Sequence, residues 1–290
     1  MRGLGMKPRI GFVGQGYIGK NYADDFERRG YDTVRYALEE PYKNNKENIK
    51  ECAVVFIAVP TPTTPQGFDD SIVRDSIGLV GEGKIAIVKS TVVPGTTQSF
   101  QSQYPDRTIF YSPEFLSEAT AAQDAAHPFS NILGMAVDDE PHRAAAEQMH
   151  ALLPPAPFSL TCTSTEAEII KYAHNGSGFV EVVFFNLIYD LAKKLGANWD
   201  AIGKAVQADP FIANRYAKPV HKTGRGAGGH CFIKDFAALR ALYEREVGDA
   251  AGTSALLAFE AKNRMLLKES GKDLDLLASI YGDNSLFKII

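Results

Sequence analysis

Seven consecutive apolar residues, Ala53-Val54-Val55-Phe56-Ile57-Ala58-Val59, constrain the fold most. A strand that is apolar on both faces must be covered on both, as happens inside a parallel sheet flanked by helices. Short apolar runs also occupy residues 9–13, 33–37, 85–89, 108–111, 131–137 and 158–160, with amphipathic stretches between them. That alternation predicts an α/β class fold with a Rossmann-type, doubly wound parallel sheet. Such a sheet binds its ligand at the carboxyl ends of its strands. The loops that start there are 14–19, 60–63, 90–95 and 112–114.

Pro154, Pro155 and Pro157 close this half, and long helical patterns follow. The expected division is a dinucleotide-type domain over residues 1–160 and a helical domain over 161–290. Thr165 and Glu168 form a candidate capping box. The helix they start should run to about Leu195, with Gly196 placed to end it. Further helices are expected over 199–208, 236–246 and 254–269.

Composition narrows the class of partner. A net charge of −4, with 45% hydrophobic and 23% charged residues, gives no basic face for nucleic acid or an acidic membrane. The three cysteines, Cys52, Cys162 and Cys231, are too few and scattered for a disulfide scaffold. Cys52 and Cys162 border apolar strands and read as structural. Residues 1–7 carry no apolar leader core and no run reaches membrane-spanning length, so a cytoplasmic protein is expected. His174, His221 and His230 have no metal-ligand spacing, and no metal is assigned.

Three motifs carry chemistry. Gly14-Gln15-Gly16-Tyr17-Ile18-Gly19 follows an apolar strand and opens a helical stretch. Gly14 permits the tight turn, Gly16 lets backbone approach a pyrophosphate, and Gly19 permits close helix–strand packing. The place of a ribose-binding acid falls on Ala37, with Glu39 and Glu40 just beyond and Arg35 close by. NAD is favoured, and NADP stays open. Glu114 follows Pro113, a favoured first helical residue, and Glu118 stands one turn on, so both should face the same way. Lys171 and Asn175 are four apart on one helix face. Cys231 follows Gly224, Gly226, Gly228 and Gly229 and precedes Lys234-Asp235. Those glycines place it on an accessible loop, beside groups able to support a thiolate.

Together these stretches resemble the UDP-glucose/GDP-mannose dehydrogenase family of nucleotide-sugar oxidoreductases. They are GFVGQGYIG at the start, VVFIAVPTPT in 53–63, KSTVVPGTT at 89–97, and SPEFLSEATAAQDAAHP at 112–128. TEAEIIKYAHN at 165–175 and GGHCFIKD at 228–235 complete the set. The resemblance implies two NAD-dependent hydride transfers that turn a sugar C6 alcohol into a carboxylate through a cysteine thioester. It casts Cys231 as nucleophile, Lys171 and Asn175 as oxyanion stabilisers, Asp235 and Glu114 in proton transfer, and Thr91 near cofactor and catalytic water. Thr61, Glu118 and Lys234 match nucleotide contacts, alongside Gln15, Tyr17 and Ile18 of the first loop. Phe115, Leu116 and Gly228 join Glu114, Lys171 and Asn175 against the substrate. Arg215 matches an arginine that reaches the neighbouring subunit's substrate in a homodimer built on the helical domain. The substrate implied is a nucleotide sugar or sugar phosphate, with UDP-glucose leading.

Departures from the family pattern are a short form without the C-terminal nucleotide-gripping domain, a short connection from 37 to 53, and Arg225 in place of a proline. Arg225 or His230 becomes a candidate phosphate contact. Two other readings remain: a two-electron β-hydroxyacid-type dehydrogenase without a nucleophilic cysteine, and a cofactor-binding pseudoenzyme or assembly partner.

Overall fold

The computed structural model describes residues 7–282. The leaderless start read at residues 1–6 therefore lies outside the described residues. In chain order the strands are β1 (Ile10–Val13), β2 (Thr33–Tyr36), β3 (Val54–Ile57), β4 (Thr63–Thr64), β5 (Gly67–Phe68), β6 (Ile85–Val88), β7 (Thr108–Tyr111), β8 (Ser130–Met135), β9 (Phe158–Thr163), β10 (Val220–His221) and β11 (Gly224–Arg225). The helices are α1 (Tyr17–Arg28), α2 (Ser71–Ile77), α3 (Thr96–Gln103), α4 (Ala121–Ala126), α5 (Glu140–Leu152), α6 (Ser164–Lys194), α7 (Trp199–Ala208), α8 (Gly229–Glu246), α9 (Ala250–Ser270) and α10 (Leu274–Tyr281). No helix among the described residues is long and apolar enough to cross a membrane.

The chain divides into two compact units. One comprises residues up to 61 together with 69–171; the other comprises 62–68 and the residues from 172 onward. The division falls within α6, after Lys171.

The first unit holds a seven-stranded sheet in the order β2-β1-β3-β6-β7-β8-β9. All seven strands stand where apolar runs predicted them. The sheet is not wholly parallel: β8 runs antiparallel to β7, pairing Phe110 with Met135 and Tyr111 with Gly134. From β1 the chain steps outward to β2, then returns to β3 on the other side of β1. That reversal opens the crevice where sheets of this kind take their ligands. Phe12, Phe26, Phe56, Phe110 and Leu133 anchor the core, with Phe12 and Phe56 stacked at 5.3 Å. β9 departs from its expected character: its side chains alternate between exposed and half-buried, so it lacks the two-sided cover of β3.

In the second unit, Phe179 of α6 stacks on Phe236 of α8 at 3.8 Å, with Val182, Val183 and Ala227 packed around them. A neighbouring cluster joins Ile233 and Ala237 of α8 to Leu267 of α9 and to Leu277 and Ile280 of α10. α6 begins at a different box from the expected one. Thr163 N donates to the Glu166 carboxylate at 2.8 Å, and Glu166 N donates to Thr163 Oγ1 at 3.3 Å. Glu168 is used elsewhere: its carboxylate accepts from Gly95 N, Thr97 N and Thr97 Oγ1 at 2.7, 2.9 and 2.6 Å. It thereby caps α3 from another element, a role that residue spacing cannot announce. Gly196, at φ +70, follows the end of α6 as expected.

Candidate active site

The glycine loop after β1 is crowded where it touches protein and open where a ligand would lie. Gly14 has φ +90, and a Cβ there would stand 2.3 Å from the Ala58 carbonyl oxygen. A Cβ on Gly19 would stand 2.0 Å from the Gly14 carbonyl oxygen, whereas one on Gly16 would meet nothing within 4 Å. Gly16 is the N-cap of α1 and supplies no side chain to its first-turn amides. Those amides and the helix dipole form the kind of cradle that holds a pyrophosphate. Gln15 caps the Gly14 carbonyl at 3.0 Å. Tyr17 is at the rim, Ile18 packs on the sheet core, and Thr61, beyond β3, is buried.

Arg35 is already committed. Its guanidinium reaches Asp24 at 2.7 Å and both carboxylate oxygens of Glu27 at 2.7 and 2.9 Å. Meeting a 2′-phosphate would cost those pairings, so the site fits NAD better than NADP.

Glu114 is a buried carboxylate of this unit. Residues 112–117 are not helical, which corrects the expected helix starting at Pro113. Glu114 is buried at 2% exposure while Glu118 is exposed, so the two do not share a face. Glu114 Oε1 turns back to accept from Leu116 N at 2.5 Å, closing a local turn in place of a helix. Oε2 is buried without a hydrogen-bond partner. Burial raises the Glu114 pKa, with Lys171 and Lys89 opposing. Lys171 donates to the Glu114 carbonyl oxygen, and its ammonium lies 5.5 Å from the Phe115 ring centroid. Lys89, missed in the sequence, is buried and donates to Ser112 Oγ at 3.0 Å. Thr91 lies half-buried in the loop after β6.

The second unit assembles the other named residues. Asn175 Nδ2 donates to Asp235 Oδ2 at 2.6 Å, and Lys234 Nζ donates to Oδ1 at 2.5 Å. Asp235 and Asn175 are buried at 2% and 6% exposure. Cys231 is exposed, as read, but it is not on a loop: it stands in the first turn of α8, seven residues earlier than that helix was expected to start. Cys231 and Asp235 are four apart and share a helix face. An N-terminal turn is a setting that favours a thiolate. The other two thiols are unsuited to this role, since burial pushes both Cys52 and Cys162 up to about 11.

Arg215 is exposed beside Tyr216. The phosphate role considered for Arg225 is not supported. Its guanidinium reaches Asn186 Oδ1 at 2.8 Å and Asp190 Oδ1 at 2.5 Å, and it lies against Tyr189. Around the cysteine loop, sequence reading missed Asn263, Ser270, Lys272 and Asp273, all of which bond its backbone. They lie 36 to 46 residues away in the chain, beyond any local signal. Among the described residues, no group of three or more His, Cys, Asp or Glu could hold a metal ion.

Residues 33–153 match the UDP-glucose/GDP-mannose dehydrogenase family NAD binding domain, and 165–262 match that family's central domain. A UDP-glucose 6-dehydrogenase of Rickettsia conorii is 30% identical over 230 residues, covering 76% of this chain and 51% of that protein. The chain thus spans about half the length of the curated relatives it matches. A solved UDP-glucose dehydrogenase from Pyrobaculum islandicum superposes with a TM-score of 0.75 at 27% identity, covering 93% of this chain and 72% of the other. A 3-hydroxyisobutyrate dehydrogenase of Mycobacterium tuberculosis shares the fold: TM-score 0.70 at 16% identity, covering 95% of this chain and 99% of that one.

Proposed function

Because the chain belongs to the UDP-glucose/GDP-mannose dehydrogenase family, we propose that it oxidises the C6 alcohol of a nucleotide sugar to a carboxylate. The observation that carries this reading is the Asn175–Asp235 hydrogen bond. It joins a buried amide of α6 to a buried carboxylate on α8, one turn beyond Cys231. A two-electron alcohol dehydrogenase has no use for an exposed first-turn thiol in that company.

NAD, held on the α1 amides and the Gly14–Gly19 loop, would accept a hydride in each of two oxidations. Glu114, its pKa raised by burial, is suited to exchange a proton with the C6 hydroxyl. The Cys231 thiolate adds to the resulting aldehyde carbon, and Lys171 and Asn175 donate hydrogen bonds to the oxygen that becomes negative. Loss of the second hydride leaves a thioester. Water then adds to the carbonyl, with Asp235 or Glu114 taking its proton, and the thiolate departs. Overall, one alcohol, one water and two oxidised cofactors give one carboxylate, two reduced cofactors and three protons.

The working form in this reading is a homodimer. Phe184, Leu187, Leu191 and Leu195 recur at helical spacing and are 44–73% exposed. They lie on or just beyond the end of α6. A second copy of the chain would cover that stripe, and Arg215 would reach toward its substrate.

The test is stoichiometry, with UDP-glucose as the first substrate tried. Two NADH per carboxylate, with none of the acid formed by Cys231→Ser, supports the reading. One NADH per product with a tolerant cysteine would move the assignment to a two-electron dehydrogenase, a fold neighbour of which is in hand. NAD binding without turnover on UDP-, GDP- or simple sugar phosphates would sink the enzymatic reading.

A further inference from the structure

The loop that leads into Cys231 would be loose if left to its own residues. Gly226, Gly228 and Gly229 give its backbone freedom that costs entropy to remove. Its constraint comes from the end of α9 and the two residues after Gly271. The Asn263 amide serves both backbone groups of Ala227: Oδ1 accepts from its N–H at 2.6 Å, and Nδ2 donates to its carbonyl at 3.0 Å. Ser270 Oγ accepts from Arg225 N at 2.9 Å, and Lys272 Nζ donates to the Gly226 carbonyl at 3.0 Å. Asp273 Oδ2 accepts from Gly229 N at 2.7 Å.

Gly229 is the first residue of α8, and the N-cap residue Gly228 offers no side chain to that helix. Asp273 therefore caps α8 from forty-four residues away. The fit is close. A Cβ on Gly228 would stand 2.1 Å from Asp273 Oδ2 and 2.6 Å from Lys272 Cε. Asp273 itself is in the left-handed region at φ +54, ψ +35, an uncommon setting for a residue with a side chain.

We propose that Asp273 is a positioning residue for the chemistry of Cys231: by capping α8 two residues before the thiol, it fixes the direction in which that first turn presents sulfur. The proposal rests on Cys231 being the nucleophile. It adds that the acid acts through the Gly229 amide and touches no reacting atom. The chemical requirement is geometric, since misplacement of a reacting group by about 1 Å can cost on the order of 10²-fold in rate.

The left-handed backbone at 273 suits glycine and asparagine, so two variants are available that keep the main chain. Asp273→Asn retains an oxygen acceptor for Gly229 N; Asp273→Gly removes it. With NAD and UDP-glucose, the glycine variant should lose about tenfold or more in kcat with KM for both unchanged within about twofold. The asparagine variant should recover most of that loss. Amide hydrogen exchange over residues 224–232 should quicken in the glycine variant and stay near parental in the asparagine one. Equal kcat in parent and glycine variant, equal losses in both variants, or a lowered Tm with unaltered kcat would each overturn the proposal. The exchange measurement does not depend on turnover. If Cys231→Ser shows that the thiol is not the nucleophile, exchange still decides whether Asp273 holds the loop.

Discussion

Lys89→Met tests the electrostatics beneath Glu114. Lys89 is 4% exposed, bonds Ser112 Oγ at 3.0 Å and the Tyr22 hydroxyl at 3.4 Å, and lies 4.5 Å from the Tyr22 ring centroid. Burial lowers its pKa from 10.5 to about 8, while Glu114 pulls it up and Lys171 pushes it down. The unfolded chain therefore holds a proton between about pH 8 and 10.5 that the folded chain does not. Folded stability rises with pH across that window, and below it the folded protein carries the full cost of a desolvated ammonium. At about 1.4 kcal/mol per pKa unit, that cost is about 3 kcal/mol. Methionine fills similar volume and cannot titrate. From about pH 7.5 to pH 9.5 the parent should thus gain about 2 kcal/mol relative to Lys89→Met. Urea unfolding of both proteins at those two pH values measures it. Common groups not coupled to Lys89, such as the Cys52 thiol, cancel in the comparison. A parent-minus-variant difference that stays flat with pH would refute the reasoning, because a lysine already solvated when folded has no such linkage.

Glu168→Ala strips two backbone amides and the Thr97 hydroxyl of their acceptor, so stability should fall by about 3–5 kcal/mol in denaturant titration. A loss under about 1 kcal/mol would mean that α3 does not depend on this cap. If the chain is the homodimer proposed above, aspartate at both Leu187 and Leu191 should halve the mass read by light scattering and leave the far-UV circular dichroism parental, since both side chains are exposed in the single chain. An unchanged mass would remove α6 as the dimer face.

The sheet was legible because its strands are apolar runs between amphipathic stretches, and β3 announced its buried place by being apolar on both faces. The direction of β8 was not legible, since a strand's own residues carry no record of its neighbour's polarity. The start of α6 was read two residues late because Thr163/Glu166 and Thr165/Glu168 offer overlapping copies of one signature. A demand from α3 on Glu168 decides between them. Pro113 read as a helix start, but Glu114 spends its carboxylate on Leu116 N, and a local turn wins. Gly228 and Gly229 read as a loop because the cap that starts α8 there belongs to Asp273. Candidate site residues were thus named one by one through motif spacing. What holds them in place is supplied from distant chain positions and was not.

The crowding at Gly14 and Gly19 has an evolutionary corollary. Three chain segments meet there with no room for even a methyl group, so this corner has almost no sequence space in which to drift. A lineage that changes its preferred dinucleotide must write that change elsewhere, at residues 37–40 or by releasing Arg35 from its two acidic partners on α1. An engineer seeking the phosphorylated cofactor should begin by neutralising Asp24 and Glu27 and leave the glycines untouched.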